Sequence, residues 1–250
     1  TLGFAIGVNS EATSNQSIAI GYQSKATGRN NGGGGDPALA VGAGANATAG
    51  GATAIGMVAN ASNTFATAIG KSAAASGDSS IAIGQNTKAT QEKAIAIGDA
   101  SQATNIGATA LGRSSEATGS SATALGSLAS ATGTTATAVG MQASASGNES
   151  LAIGNTASAT SGRALAVGTN AKATGASSVA VGSGAGGSGP LGFASSINSS
   201  RSVVNTLKTI NYATTAEGDN AVALGFYANA KNSGVAVGQR ALAATGGDAI

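Results

Sequence analysis

Ser80-Ile81-Ala82-Ile83-Gly84-Gln85-Asn86-Thr87-Lys88-Ala89-Thr90-Gln91-Glu92-Lys93 decides the fold, because Ala94-Ile95-Ala96-Ile97-Gly98 follows at once and starts the same pattern again. The tetrapeptide apolar-or-Thr, Ala, aliphatic, Gly occurs fifteen times, and from Gly42 to Gly182 every step is 14 residues. Five residues after the Gly stands an Ala, followed by Ser or Thr, in twelve repeats from Ala12-Thr13 to Ala173-Thr174. Fourteen residues are too few for two helices. They suit two short strands with tight turns, one coil of a β-solenoid. The Gly content and the β-branched residues at alternate positions, as in Ile81-Ala82-Ile83, argue against a helix. The fold class expected is all-β, a parallel β-roll of two-strand coils.

Alternation assigns the two faces of each strand. In Ile81-Ala82-Ile83 the isoleucines share one face and the alanine takes the other. The aliphatic pair is the main bulk in the repeat, so it is expected to fill the coil, with Thr53, Thr67, Thr109, Thr123 and Thr137 packing their methyls beside it. The intervening alanine is then expected to point outward. That column is Ala19, Ala40, Ala54, Ala68, Ala82, Ala96, Ala110, Ala124, Ala138, Ala152, Ala166 and Ala180, and it never drifts to a charged residue. An outward row that stays small and apolar is expected to be an interface with another copy of the chain. The residue before the Ala of the second strand behaves differently. Glu11, Lys25, Asn46, Asn60, Lys88, Gln102, Glu116 and Lys172 share that column, so it is expected to face water.

Composition excludes several functions. The 250 residues include 40 Gly but no Cys, His or Trp, and 9% are charged. That leaves no thiolate nucleophile, no imidazole base or metal ligand, and no Ser-His-Asp triad. Net charge is +2, with no Lys/Arg cluster of the kind a nucleic acid requires. Gly70-Lys71-Ser72 has Phe65 where a phosphate loop needs Gly. Gly182-Ser183-Gly184-Ala185-Gly186-Gly187 matches the dinucleotide pattern, but Pro190 and further Gly follow where a helix is required. Neither catalysis nor a cofactor is expected. No initiator Met or leader precedes Thr1, so the chain is read as a fragment.

Asn15-Gln16-Ser17-Ile18-Ala19-Ile20-Gly21-Tyr22-Gln23-Ser24, Asp78-Ser79-Ser80-Ile81-Ala82-Ile83-Gly84 and Glu149-Ser150-Leu151-Ala152-Ile153-Gly154 resemble the head repeats of YadA-like trimeric autotransporter adhesins. The pattern in that family is Asn-Ser-Val-Ala-Ile-Gly, two variable residues, then Ser. Ser24 and Ser101 match the last Ser, and many other repeats have Ala there. The resemblance covers residues 1–182 and 218–250. It implies a left-handed, trimeric β-roll at the tip of a stalk on a Gram-negative cell surface, with the membrane anchor outside this sequence. It also implies adhesion to extracellular-matrix proteins such as collagen, fibronectin or laminin, to host cells, or to other copies.

Two segments break the period. The first, 29–37, is expected to be a surface loop. The second, 183–219, separates head repeats 1–182 from the final repeats 220–250. Val203, Leu207 and Ile210 are spaced to share a helix face within it, and Arg201 and Lys208 are its only charges up to Ala216. It is expected to be a flap that covers a coil edge or reaches to the next subunit, a recognition element, or both. Lys25, Lys88 and Lys172 with Arg201 and Lys208 form the candidate ligand surface, although Glu11 and Glu116 share the lysine column. An ice-binding or purely structural solenoid is the competing reading, since Thr13 to Thr174 form a Ser/Thr row. The adhesin is favoured because both neighbours of that row vary or are Ala.

Overall fold

The computed structural model describes residues 2–29 and 36–182, and beyond these 215–216, 222–224, 229–230, 234–238, 240–244 and 248–249. The chain divides into two compact units, Thr1–Ser127 and Leu128–Ile250. In each, a 14-residue repeat makes one coil of a three-residue strand and a two-residue strand, such as Ile81–Ile83 and Lys88–Ala89. Among the described residues every pairing is parallel and, apart from one register shift at Arg29, joins equivalent residues of successive coils. In the first unit Ile81, Ala82 and Ile83 pair with Ile95, Ala96 and Ile97, while Lys88 and Ala89 pair with Gln102 and Ala103. In the second unit Leu151 pairs with Leu165 and Ser144 with Ser158. No helix occurs among the described residues. The fold is the expected parallel β-solenoid.

The assignment of faces on the longer strand is corrected. Ala19, Ala40, Ala54, Ala68, Ala82, Ala96, Ala110, Ala124, Ala138, Ala152, Ala166 and Ala180 are 0–1% exposed in the single chain and lie inside the coil. The aliphatic residues that flank them point out: Ile18 is 38% exposed and Leu125 44%. An interface role for the Ala column rested on its pointing outward and goes with that reading. The reason is the size of the interior. The second strand also sends Ala inward, from Ala26 to Ala173, and the residue just before each strand between Ile18 and Val181 is a buried Ala, Ser or Thr. Among the described residues no fully buried side chain is larger than that of Thr87. A coil this small closes on methyl groups, and isoleucines can be seated only outside it.

The buried hydroxyls are satisfied locally. Ser80 Oγ donates to the Gly77 carbonyl at 2.7 Å, Thr87 Oγ1 to Gly84 at 2.8 Å and Ser150 Oγ to Gly147 at 2.6 Å. Each bond ties a turn to the strand that leaves it. Ala66 and Ala94 occupy the place of Ser80 in the flanking coils, and both are fully buried. Ser80→Ala is therefore expected to change stability by no more than about 1 kcal/mol in thermal unfolding. The turns themselves recur every half coil through a left-handed residue, as at Ser72 (φ 56°), Ser79 (φ 54°), Asn86 (φ 55°) and Lys93 (φ 57°).

The solenoid continues in register across both breaks in period. Ile18 pairs with Leu39 over the first, where Arg29 meets Ala49 after a register shift. Residues 30–35 of that expected loop lie outside the described residues. At the second break Val179 pairs with Val222 and Ala173 with Ala216. Thr215–Ala216, placed by the sequence reading within the 183–219 insertion, are thus a strand of the solenoid. The excursion opens between Val179–Val181 and that strand, inside a single coil. Residues 183–214 lie outside the described residues, and with them the expected helix face of Val203, Leu207 and Ile210 and the Gly182–Gly187 motif beyond its first glycine.

Candidate functional surfaces

Each unit presents two outer faces of different chemistry. Outside the three-residue strands stand the aliphatic and Thr columns, with no charged residue among the described side chains from Phe4 to Val181. Each of these side chains is half-buried or exposed in the single chain. Outside the two-residue strands stands the polar column foreseen from the sequence, with Glu11, Lys25, Lys88, Glu116 and Lys172 all exposed. The charge on this second strand is what fixes its sense. An exposed carboxylate or ammonium cannot enter an interior of methyl groups without a large desolvation penalty.

Within the first unit Lys25 and Lys88 are not gathered into a patch. Lys25 Nζ lies 3.6 Å from Glu11 Oε2, and both side chains are about half exposed. Lys25 and Lys88 are separated in register by Asn46, Asn60 and Ala74, four steps of about 4.8 Å each. Lys172 stands exposed in the same column of the second unit. Arg201 and Lys208 lie outside the described residues. A shallow depression around the Lys25–Glu11 pair is lined also by Asn9, Gln23, Gly44 and Asn46. Its acid and base face each other, and Asn46 Nδ2 donates to Asn60 Oδ1 at 3.4 Å. Such a pair contributes about 0–1 kcal/mol, so Lys25→Ala is expected to leave thermal stability within that range.

The sequence reading passed over the turns. Tyr22, Met57 and Val58 stand exposed on the turn that follows the repeat Gly, and Phe65 and Ile106 on the opposite turn. The available signal was that large apolar residues occur irregularly in these columns, against a background of Ala, Ser and Gly. On the same second edge Lys93 lies 2.8 Å from Glu92. That hydrogen bond first, and the lysine charge second, holds the Glu92 carboxyl below its ordinary range. No group of three or more metal-ligating side chains occurs among the described residues.

The repeats also match a sequence model, that of the YadA head domain repeat (2 copies). The matched residues are 3–24, 12–30, 34–59, 75–101, 89–115, 103–129, 117–143, 131–157, 145–166, 159–185, 212–228 and 216–241. The chain belongs to the YadA head family. No curated protein matches it. YadA heads form trimers and act as adhesins, and the family is one of surface-exposed autotransporters anchored in an outer membrane rather than of enzymes. The match runs on both sides of 183–214, in keeping with a YadA roll that resumes its register at Ala216.

Proposed function

We propose that this chain is the adhesive head of a homotrimeric surface adhesin. Three copies bury the uncharged aliphatic face of the longer strands around a common axis. The polar face and the turns are left for a host extracellular-matrix protein of the collagen, fibronectin or laminin class, or for a cell-surface receptor. The supporting observation is the contrast between the two faces. One is charge-free and carries partly exposed Ile, Leu, Val and Thr in every coil, and the other carries the charges. A long open aliphatic face on a soluble chain calls for a cover, and a closed ring of copies supplies one without leaving an edge. Adhesion by a broad, pocket-free surface then gains strength from having several copies per particle. The Ser/Thr row does not carry the ice-binding reading. Thr27 and Thr90 turn their hydroxyls onto the Thr48 and Thr104 carbonyls, and the row alternates irregularly between half-buried and exposed.

Light scattering coupled to size exclusion tests the assembly. The expected mass is three times 23.2 kDa, and a well-folded monomer would overturn the reading. Ile83→Glu with Ile97→Glu places like charges at the axis and is expected to give a folded monomer. Binding of that monomer to immobilised collagen, fibronectin and laminin is expected to fall about 100-fold or more below the trimer, through lost multivalency. Equal binding by monomer and trimer would remove the multivalent mechanism. No binding of the trimer to any of the three would remove the matrix-protein assignment.

A further inference from the structure

The aliphatic face of the first unit carries a pattern that its fold does not need. After each inward Ala the outward residue is aliphatic in every coil, from Ile20 to Leu125. Before it, the residue changes in bands, of which the first is apolar and opens with Phe4. Ile18 and Leu39 are aliphatic, Thr53 and Thr67 are not, Ile81 and Ile95 are aliphatic again, and Thr109 and Thr123 are not. Register stacks these blocks as bands: Leu39 on Thr53, Thr53 on Thr67, Thr67 on Ile81, Ile95 on Thr109 and Thr109 on Thr123. The Thr side chains are half-buried, and none of the four hydroxyls has a hydrogen-bond partner in the chain among the described residues. On the other sheet Thr27 and Thr90 do bond to carbonyls. The bands therefore hold donors and acceptors that only something outside the chain can meet.

We infer that these Thr bands fix the axial register between copies of this chain. The inference rests on the homotrimer proposed above. The partner is a second copy because only a chain of the same coil spacing presents bands at the same intervals, and because the face bears no charge to attract an ionic ligand. Side by side, two such solenoids can slide in steps of one coil, about 4.8 Å. The uniform aliphatic column is indifferent to such a step. The banded column is not. In register, Thr faces Thr and the hydroxyls pair across the interface while aliphatic meets aliphatic. A slip of two coils sets each Thr pair against an aliphatic pair and leaves its hydroxyls dry and unpaired. A slip of four coils brings Thr109 and Thr123 against Thr53 and Thr67 but sets Thr67 against Phe4 and leaves four coils of each copy uncovered. Banding thus makes one alignment best, as a single polar residue does in a coiled coil.

The chain has no Cys, so Gln85→Cys in the exposed turn after Ile83 takes a single spin label per copy. Pulsed electron resonance on the otherwise native chain is expected to give one narrow distance. In the variant Thr53→Ile, Thr67→Ile, Thr109→Ile, Thr123→Ile the trimer mass is expected to persist while the distance distribution broadens toward longer values, axial offsets in multiples of about 4.8 Å adding in quadrature to the lateral separation. An unchanged narrow distance in a trimeric variant would overturn the register inference and leave the trimer standing. A monomeric native chain, seen in the mass, would overturn both. If the all-aliphatic variant aggregates, a block exchange decides: Thr53→Ile, Thr67→Ile, Ile81→Thr and Ile95→Thr, refolded together with an affinity-tagged native chain. Capture on the tag is expected to leave the exchanged chain behind. Its recovery at the level of statistical mixing would overturn the inference.

Discussion

A chain carrying Gly70→Ala is expected to melt at least about 6 °C below the native chain and to lose amide protection in the coils around Ile69 and Ile83. Gly70 has φ +131°, a region L-residues rarely enter, and a Cβ there would lie 2.4 Å from the Gly84 oxygen and 2.6 Å from its carbon. The obstacle is backbone that cannot step aside, because the Gly84 amide donates to the Ile69 carbonyl at 2.8 Å. Strained φ costs about 1–3 kcal/mol, and the clash adds to it, so a loss above about 3 kcal/mol follows. For a chain of this size each kcal/mol lowers Tm by about 2–4 °C. In a solenoid the damage falls on neighbouring coils first. Gly107→Ser is the control. Its φ is +63°, and the nearest atom to an added Cβ is Ser121 Oγ at 3.4 Å. Lys93 and Ser121 hold the same turn position in the flanking coils with φ 57° and 53°. A loss of about 1 kcal/mol is expected, and equal losses for the two variants would show that the stacked carbonyl is not what excludes a side chain at Gly70.

The same glycines explain why the period could be read from the sequence. Each stands where its own coil and the next both forbid a Cβ, so its spacing is the spacing of the coils. The sense of the second strand was legible too, because Lys88 and Glu116 can face only water and Ala89 and Ala117 then face in. The longer strand offers no such marker. Ile81-Ala82-Ile83 states that the isoleucines share a face, but neither face carries a charge, and the rule that bulk goes inside gave the wrong sign. The deciding signal lay just outside the strand. Ser80, Thr87 and Ala94 belong to columns that are small in every coil, and together with Ala82 and Ala89 they leave the interior no room for an isoleucine. Size varies freely only where the chain faces out, as from Ile81 to Thr109. The place of the second insertion was hidden for another reason. Ala216 pairs with Ala173 across a gap that no local spacing records.

Ala96→Leu and Ile97→Ala separate the two assignments of that face, and their effects are expected to fall on different measurements. Ala96 is 0% exposed and stacked between Ala82 and Ala110. Extra methylenes in a packed core cost about 1–3 kcal/mol. A whole isobutyl group among methyls belongs at the top of that range or above it, a fall in Tm of about 6–12 °C. The two-residue strand across the coil cannot retreat without breaking its pairing with the strands above and below it, so relaxation offers little relief. Ile97 is only half-buried in the chain, and its truncation leaves no cavity inside the coil. Its effect is expected in the concentration dependence of the mass of the proposed trimer, with the Tm of dilute, dissociated chain nearly unchanged. Were the alanines outside and the isoleucines inside, the pattern would invert. Ala96→Leu would disturb assembly and spare the coil, while Ile97→Ala would cost the chain about 2–5 kcal/mol through a buried cavity. The two variants thus assign the interface by which property moves, whatever the absolute size of either effect.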